Sequence, residues 1–238
     1  MTRVGSYNVH GFVGRDGRRD VERTATVIAE LDCDAVGLQE VDSRGHPSTL
    51  AELEQRTGMR AVPGVTMSTP TGDYGNVLLT SCTVLDVDRH DLSVEGREPR
   101  GALGAVLEAG DGSVFRMVVT HLGLRRSERR IQLERLLPIL DRRDERGPLV
   151  LVGDLNEWRP ASSVLSRLRR VFGRSTAPRT FPASRPMLPL DRIWVRPSEA
   201  LVDLRAHRST LARQASDHLP LVATMDLAEV KPEPVPVE

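Results

Sequence analysis

Aromatic residues are scarce in this chain, with four Phe, two Tyr and two Trp among 238 residues. Few rings means few platforms for stacked bases, which counts mildly against sequence-tolerant binding of single strands. Cysteine is nearly missing too. Cys33 and Cys82 sit in or beside apolar segments, where a free thiol behaves as a small core residue, and without a larger cysteine framework a reducing compartment is expected. Net charge is lacking as well: 33 basic and 33 acidic side chains cancel, so no global field draws the chain to nucleic acid or membrane. No apolar run is long enough for a signal sequence or a membrane span, and the cytoplasm is the expected location. Two catalytic signatures are missing, the Gly-x-Ser-x-Gly elbow of serine hydrolases and the glycine loop ending in Lys-Ser/Thr that cradles nucleotide phosphates.

What is present suits one large α/β or all-β domain over 1–228, followed by a tail at 229–238. Prolines at 232, 234 and 236 predict disorder or polyproline-like structure there. Apolar, β-branched runs predict strands at 4–9, 34–41, 76–81, 82–87, 100–107, 114–121 and 190–195, with others at 201–205 and at the apolar end of 216–225. Asp111-Gly112 is a hairpin signal, and the even strand spacing around it predicts an antiparallel meander in mid-chain. Asp20 opens a helix with Val21, Ala25 and Ile28 on one face, and 48–57 is a short helix stopped by Gly58. Ser127 can cap a longer helix facing inward with Ile131, Leu133, Leu136, Leu137 and Leu140, and Pro138 should kink it or end its first part. Another helix is expected at 160–172. The stretches 66–75 and 88–100 read as a polar turn and an exposed loop. Arginines at 125–126, 129–130 and 142–143 alternate with acids and are expected on a solvated face. The segment 161–185 holds six arginines and no acid, equally readable as plain surface or as a phosphate-binding patch.

The centre of the chain is the run at 148–158, a strand buried on both faces that ends at Gly153, Asp154 and Asn156. In an extended segment residues i and i+2 point the same way, so Asp154 and Asn156 could present a carboxylate and an amide to one spot, and Asn8 and His10 could do the same on the first strand. Glu40 interrupts an apolar strand, and a buried carboxylate needs a partner or a cation. Singly, each polar strand end has an ordinary explanation as a turn, a cap or a satisfied core histidine. Together Asn8, Glu40, His121, Asp154, Asn156, Asp191, Asp217 and His218 close six separate apolar segments, the way loops at one rim of a rigid scaffold assemble an active site. Carboxylates and amides without cysteine suit a hard divalent cation, Mg²⁺ or Mn²⁺, rather than zinc. With two histidines able to move protons near neutral pH, the set points to hydrolysis of a phosphate ester.

The ordered motifs Tyr7-Asn8-Val9-His10-Gly11, Leu38-Gln39-Glu40-Val41, Thr120-His121-Leu122, Gly153-Asp154-Leu155-Asn156, Leu190-Asp191-Arg192-Ile193 and Ser216-Asp217-His218 resemble the endonuclease/exonuclease/phosphatase superfamily, the DNase I-like fold. The resemblance spans the chain from residue 3 to about 227. It implies a four-layer αββα sandwich, two mostly antiparallel sheets flanked by helices, with the site at one rim. It also implies roles. Glu40 would be the principal metal ligand, with Asn8 and Asp217 completing or bracketing the metal site. Asp154 would orient or deprotonate the attacking water and Asn156 would hold the phosphate. His218 would contact the non-bridging oxygens, kept in its tautomer by Asp191. His121 matches the histidine of the DNase, sphingomyelinase and inositol-phosphatase branches, where it can act as general acid. The abasic-site branch has an asparagine there and an aspartate at the position of His10. Arg100 matches a basic residue that approaches substrate phosphate. The implied protein is a monomeric Mg²⁺- or Mn²⁺-dependent hydrolase with no obligate protein partner, acting on nucleic acid, a phospholipid headgroup or a small phosphodiester. A non-catalytic binding module that kept the fold is the alternative, and it normally shows as loss of several charged positions, none of which is missing here.

Overall fold

The computed structural model describes residues 1–141 and 147–227; the expected tail at 229–238 and the arginines at 142–143 lie outside the described residues. β1 (Thr2–Asn8) and β2 (Ala35–Asp42) run parallel, which requires a crossover, and α1 (Val21–Leu31) supplies it. Asp20 caps that helix by accepting from Arg23 N at 2.8 Å. α2 (Thr49–Thr57) stops at Gly58, whose φ of 68° is the left-handed turn that glycine adopts without cost. β3 (Arg60–Thr69) and β4 (Gly72–Thr80) then form a hairpin. Sequence reads 66–75 as a polar turn because β3 is an edge strand, half-exposed and rich in Thr and Ser, so its apolar signal is weak.

The mid-chain meander is β5 (Thr83–Asp91), β6 (Gly101–Glu108) and β7 (Val114–His121), all antiparallel. β5 extends into the stretch expected to be loop, and Arg100 at its far end is buried rather than exposed. α3 (Arg126–Leu140) crosses over to β8 (Leu149–Asp154), parallel to β7. α4 (Ser163–Phe172), β9 (Asp191–Arg196), β10 (Leu201–Ala206), α5 (Ala212–Ala215) and β11 (Leu221–Met225) complete the described chain.

The strands form two mixed sheets, β10-β11-β1-β2-β4-β3 and β5-β6-β7-β8-β9. Each contains the same unit, a parallel β-α-β pair flanked by antiparallel strands. Val4, Ala35 and Leu78 of one sheet pack with Met117, Val119, Val152 and Ile193 of the other in one central core. Gly37 marks their closest approach: a Cβ there would lie 2.5 Å from Val152 Cγ2 and 2.9 Å from Val119 Cγ2. α1 and α2 cover the outer face of the first sheet, and α3 and α4 that of the second. Four αββα layers result, as the resemblance implied.

The inward face of α3 carries Leu133, Leu136 and Leu140 as its apolar residues predict, with Leu137 partly buried, but it also takes in polar residues and leaves Ile131 out. Ile131 is 40% exposed, while Glu128, Arg129 and Gln132 are buried beside Leu133 and Leu136. Their hydrogen bonds explain it. Gln132 Oε1 accepts from Gly123 N at 2.7 Å, and Arg129 donates to the carbonyls of Gly123 and Leu124 and to Glu157. Arg129 is therefore a correction to the expected solvated arginine face, since an ion paired with a carboxylate and hydrogen-bonded to carbonyls can be buried where an unpartnered one cannot.

Candidate active site

Strand direction gathers the site. β1 and β2 end together in one sheet and β7 and β8 end together in the other, with His121 directly opposite Asp154. β9 runs against β8, so its first residue, Asp191, pairs with Asp154, and β11 runs against β1, which puts Asp217 and His218 just ahead of it. All the motif residues thus reach one rim.

The local backbone at that rim is not extended. Glu40 has φ of 57° at a slip in the β2–β4 register, Asn156 has 50°, and His10 has 48° in a short 3₁₀ turn at His10–Phe12. Positive φ in residues bearing a side chain is uncommon and collects at functional sites. These turns also correct the strand-period argument. Asn156 reaches the site because the chain bends left-handed after Asp154, with Asn156 N donating to Asp154 Oδ1 at 2.8 Å. His10 does not share a face with Asn8; its N–H donates to Asn8 Oδ1 at 3.0 Å, and its half-exposed ring sits 3.8 Å from Asp217.

Asn8, Glu40 and Asp154 meet first. Asn8 Nδ2 donates to Glu40 Oε1 at 2.9 Å and to Asp154 Oδ2 at 3.2 Å. Burial raises the Glu40 carboxyl above the usual carboxylate range, with Asp154 pushing the same way. Two histidines face the same Asp154 oxygen: His121 Nε2 at 3.6 Å and His218 Nε2 at 3.7 Å. Their surroundings drive them apart. Burial takes His121 down to about 3, helped by Arg100 and His218 against the pull of Asp154. Asn156 Nδ2 lies 3.1 Å from His121 Nε2 and donates to Leu122 O at 2.9 Å, which leaves Nε2 as the acceptor of a neutral ring. For His218 burial alone would act downward too, but the charge and hydrogen bond of Asp191, with Asp154 and Asp217, hold it up at about 10.

His218 Nδ1 to Asp191 Oδ2 is 2.8 Å, and that same oxygen accepts from Thr180 Oγ1 at 2.5 Å. Phe181 covers the His218 ring with centroids 4.9 Å apart. Ser216 Oγ donates to Asn8 O at 2.7 Å and accepts from His218 N at 3.2 Å, joining the β1 end to the histidine turn. Sequence reasoning assigned no role to Thr180, Phe181 or Ser216. The available signal was Thr180-Phe181, a hydroxyl and a ring amid an arginine-rich loop, and Ser216 inside a motif already quoted. Arg100 lines a narrow pocket with Glu40, Tyr74 and His121, its guanidinium held by Glu98 at 2.5 Å. Beside it a cleft of about 350 Å³ opens past Glu40 between Arg19, Arg44 and Tyr74. Asp217 is brought to the rim but is partly exposed, and its carboxylate lies against Ser216 and His10 rather than Glu40.

Two donor sets bear on a metal. Asp154, Asp191 and His218 are buried, and their ligand atoms lie within 4.8 Å of one another. Glu40 and Asp154 offer carboxylate oxygens on either side of the Asn8 amide, whose own oxygen accepts from His10 N, and the Glu40 carboxyl is raised by burial that a cation would relieve. Hard oxygen donors of this kind fit Mg²⁺ or Mn²⁺.

A family model described as the Endonuclease/Exonuclease/phosphatase family matches residues 5–218. The uncharacterised Escherichia coli K12 protein YbhP is 33% identical over 165 residues, which is 66% of this chain and 65% of that relative's length. A solved endonuclease/exonuclease/phosphatase from Beutenbergia cavernae is similar in fold at 24% identity and a TM-score of 0.72, covering 93% of this chain and 70% of that one. TDP2 from D. rerio, solved in complex with a single-strand DNA product, is similar in fold at 17% identity and a TM-score of 0.71, covering 94% of this chain and 98% of that one. No helix among the described residues is long and apolar enough to cross a membrane.

Proposed function

Since the chain belongs to the endonuclease/exonuclease/phosphatase family, whose members are generally hydrolases of phosphate esters and typically use divalent metals, we propose that it is a Mg²⁺- or Mn²⁺-dependent phosphodiesterase. One observation carries the reading: a single carboxylate oxygen, Asp154 Oδ2, faces two imidazoles that the protein holds in opposite charge states. The cationic ring suits stabilisation of phosphate charge, and the neutral one suits a proton relay to the leaving group.

Asp154 orients the attacking water and accepts its proton. His218, cationic through Asp191, binds the non-bridging oxygens of the phosphate, where negative charge builds in the transition state. Asn156 steadies the phosphate and fixes His121, whose neutral Nε2 faces the same space. Substrate charge beside His121 favours uptake of a proton from solvent at Nε2, and that proton then goes to the leaving oxygen, while the proton of the attacking water stays on Asp154. Arg100 adds a cation from the β6 side. Glu40, beside Asn8 and Asp154, would hold the metal, which would supply positive charge to the phosphoryl oxygens, whereas the Asp217 side chain lies against Ser216 and His10.

Turnover of DNA, RNA, sphingomyelin, inositol phosphates, cardiolipin-type lipid and an aryl phosphodiester, with and without chelator, tests the reading. Activity on at least one of them, lost on chelation and restored by Mg²⁺ or Mn²⁺, is expected; silence across the panel would favour the binding module.

A further inference from the structure

Three loops of the site rim each hold an apolar side chain out to solvent. Leu124 follows β7 by three residues, Trp158 follows β8 by four and Met187 precedes β9 by four, and they are 74, 41 and 58% exposed. An exposed arginine stands beside each of them: Arg125 next to Leu124, Arg159 next to Trp158, and Arg185 two residues before Met187. Single exposed apolar residues are ordinary on a protein surface. These three are tied into one surface from beneath. Arg129 donates to the carbonyls of Gly123 and Leu124 at 3.2 and 2.6 Å and to Glu157 Oε2 at 3.1 Å. Arg192 in turn donates to Glu157 O at 3.2 Å and to Pro189 O. Two buried guanidinium groups therefore link the loops that carry the three exposed tips.

The exposed charge of these three loops has one sign, while Glu40 and Asp217 stand elsewhere on the rim. Glu157, the acid of the Trp158 loop, is buried in its pair with Arg129, and the Met187 loop at 173–190 contains no acid. A locally cationic face has thus formed on a chain whose net charge is zero. Apolar tips and an indole flanked by guanidinium groups is the chemistry of an interfacial segment, with the tips at the acyl boundary and the cations among anionic headgroups.

We propose that this rim docks on an anionic phospholipid surface and that the site takes its phosphodiester from a membrane headgroup. The substrate half of that proposal rests on the phosphodiesterase reading, whereas the docking half does not. A nucleic-acid strand is the weaker match. Sequence-tolerant strand binding stacks bases on rings, yet Leu124 and Met187 are aliphatic, and Arg159 already lies over Trp158, 5.3 Å from its centroid.

The test uses the full chain with vesicles of phosphatidylcholine alone or mixed with phosphatidylglycerol, read by co-sedimentation and by tryptophan fluorescence with brominated lipid as quencher. Trp194 is buried in the core, so quenching and a blue shift report on Trp158. Expected is binding to the phosphatidylglycerol vesicles that weakens as salt rises, and at least about tenfold weaker binding by the Leu124→Ser/Met187→Ser double variant. That variant should hydrolyse a soluble aryl phosphodiester at the wild-type rate. Vesicle binding without any soluble turnover would uphold docking and sink the phosphodiesterase reading. Turnover without vesicle binding, or vesicle binding that the double variant retains in full, would overturn docking. Tight single-stranded DNA binding lost in the double variant, with vesicles ignored, would also overturn it in favour of nucleic acid.

Discussion

His218 Nδ1 and Asp191 Oδ2 lie 2.8 Å apart at the buried floor of the site, and this pair decides the charge of the imidazole that faces Asp154. In Asp191→Asn the carboxylate is gone while the shape remains, so His218 should fall from about 10 toward its ordinary value near 6.5, which an NMR titration of the metal-free protein reads directly. Retention of a high His218 value in that variant would assign the charge to some other group.

The two histidines also shape stability against pH. His218 is raised in the folded state, so its contribution is complete below about 6.5 and is lost as pH rises through about 10. His121 is lowered, so its contribution is complete above about 6.5 and is lost as pH falls through about 3. Denaturant unfolding of the metal-free protein should therefore show stability falling on both sides of neutrality. Asp191→Asn should flatten the alkaline limb, and His121→Gln the acidic one.

Gly37 is a test of the layer spacing. Added bulk there meets Val152 and Val119 of the facing sheet, so Gly37→Ala should cost about 1–3 kcal/mol in urea unfolding while keeping the fold. An unchanged midpoint would mean that the sheets yield at this point without cost.

Arg129 and Glu157 form a buried ion pair at 3.1 Å that ties the β7–α3 and β8–α4 loops together. Arg129→Met strands the Glu157 carboxylate and should cost about 3–5 kcal/mol, of which Glu157→Gln in the same background should return a part. A double-mutant cycle by urea unfolding measures the coupling.

The αββα frame and the site inventory were legible because chemistry-bearing residues close apolar runs: Glu40, His121, Asp154 and Asp191 stand at strand ends where water or a ligand must be met. How they converge was not legible. The i, i+2 rule failed at Asn156 and His10, since left-handed backbone after a strand erases the period it depends on. β3 was hidden by the polar composition of an edge, and the inward face of α3 by the assumption that buried means apolar. Arg129 and Gln132 face inward because carbonyls and amides of the site loops await them, a contact made by tertiary structure and invisible in helical periodicity. Thr180 and Phe181 went unassigned for the same reason, as their partners, Asp191 and His218, are distant in the chain.

Asp154 is the residue on which the account turns, and the rate of hydrolysis of bis(p-nitrophenyl) phosphate with saturating Mg²⁺ or Mn²⁺ measures it most directly. Asp154→Asn keeps the size of the side chain but cannot accept the proton of the attacking water. The account predicts a rate at least about 100-fold below wild type, in a protein whose circular dichroism shows it folded. Wild-type turnover in Asp154→Asn would contradict it.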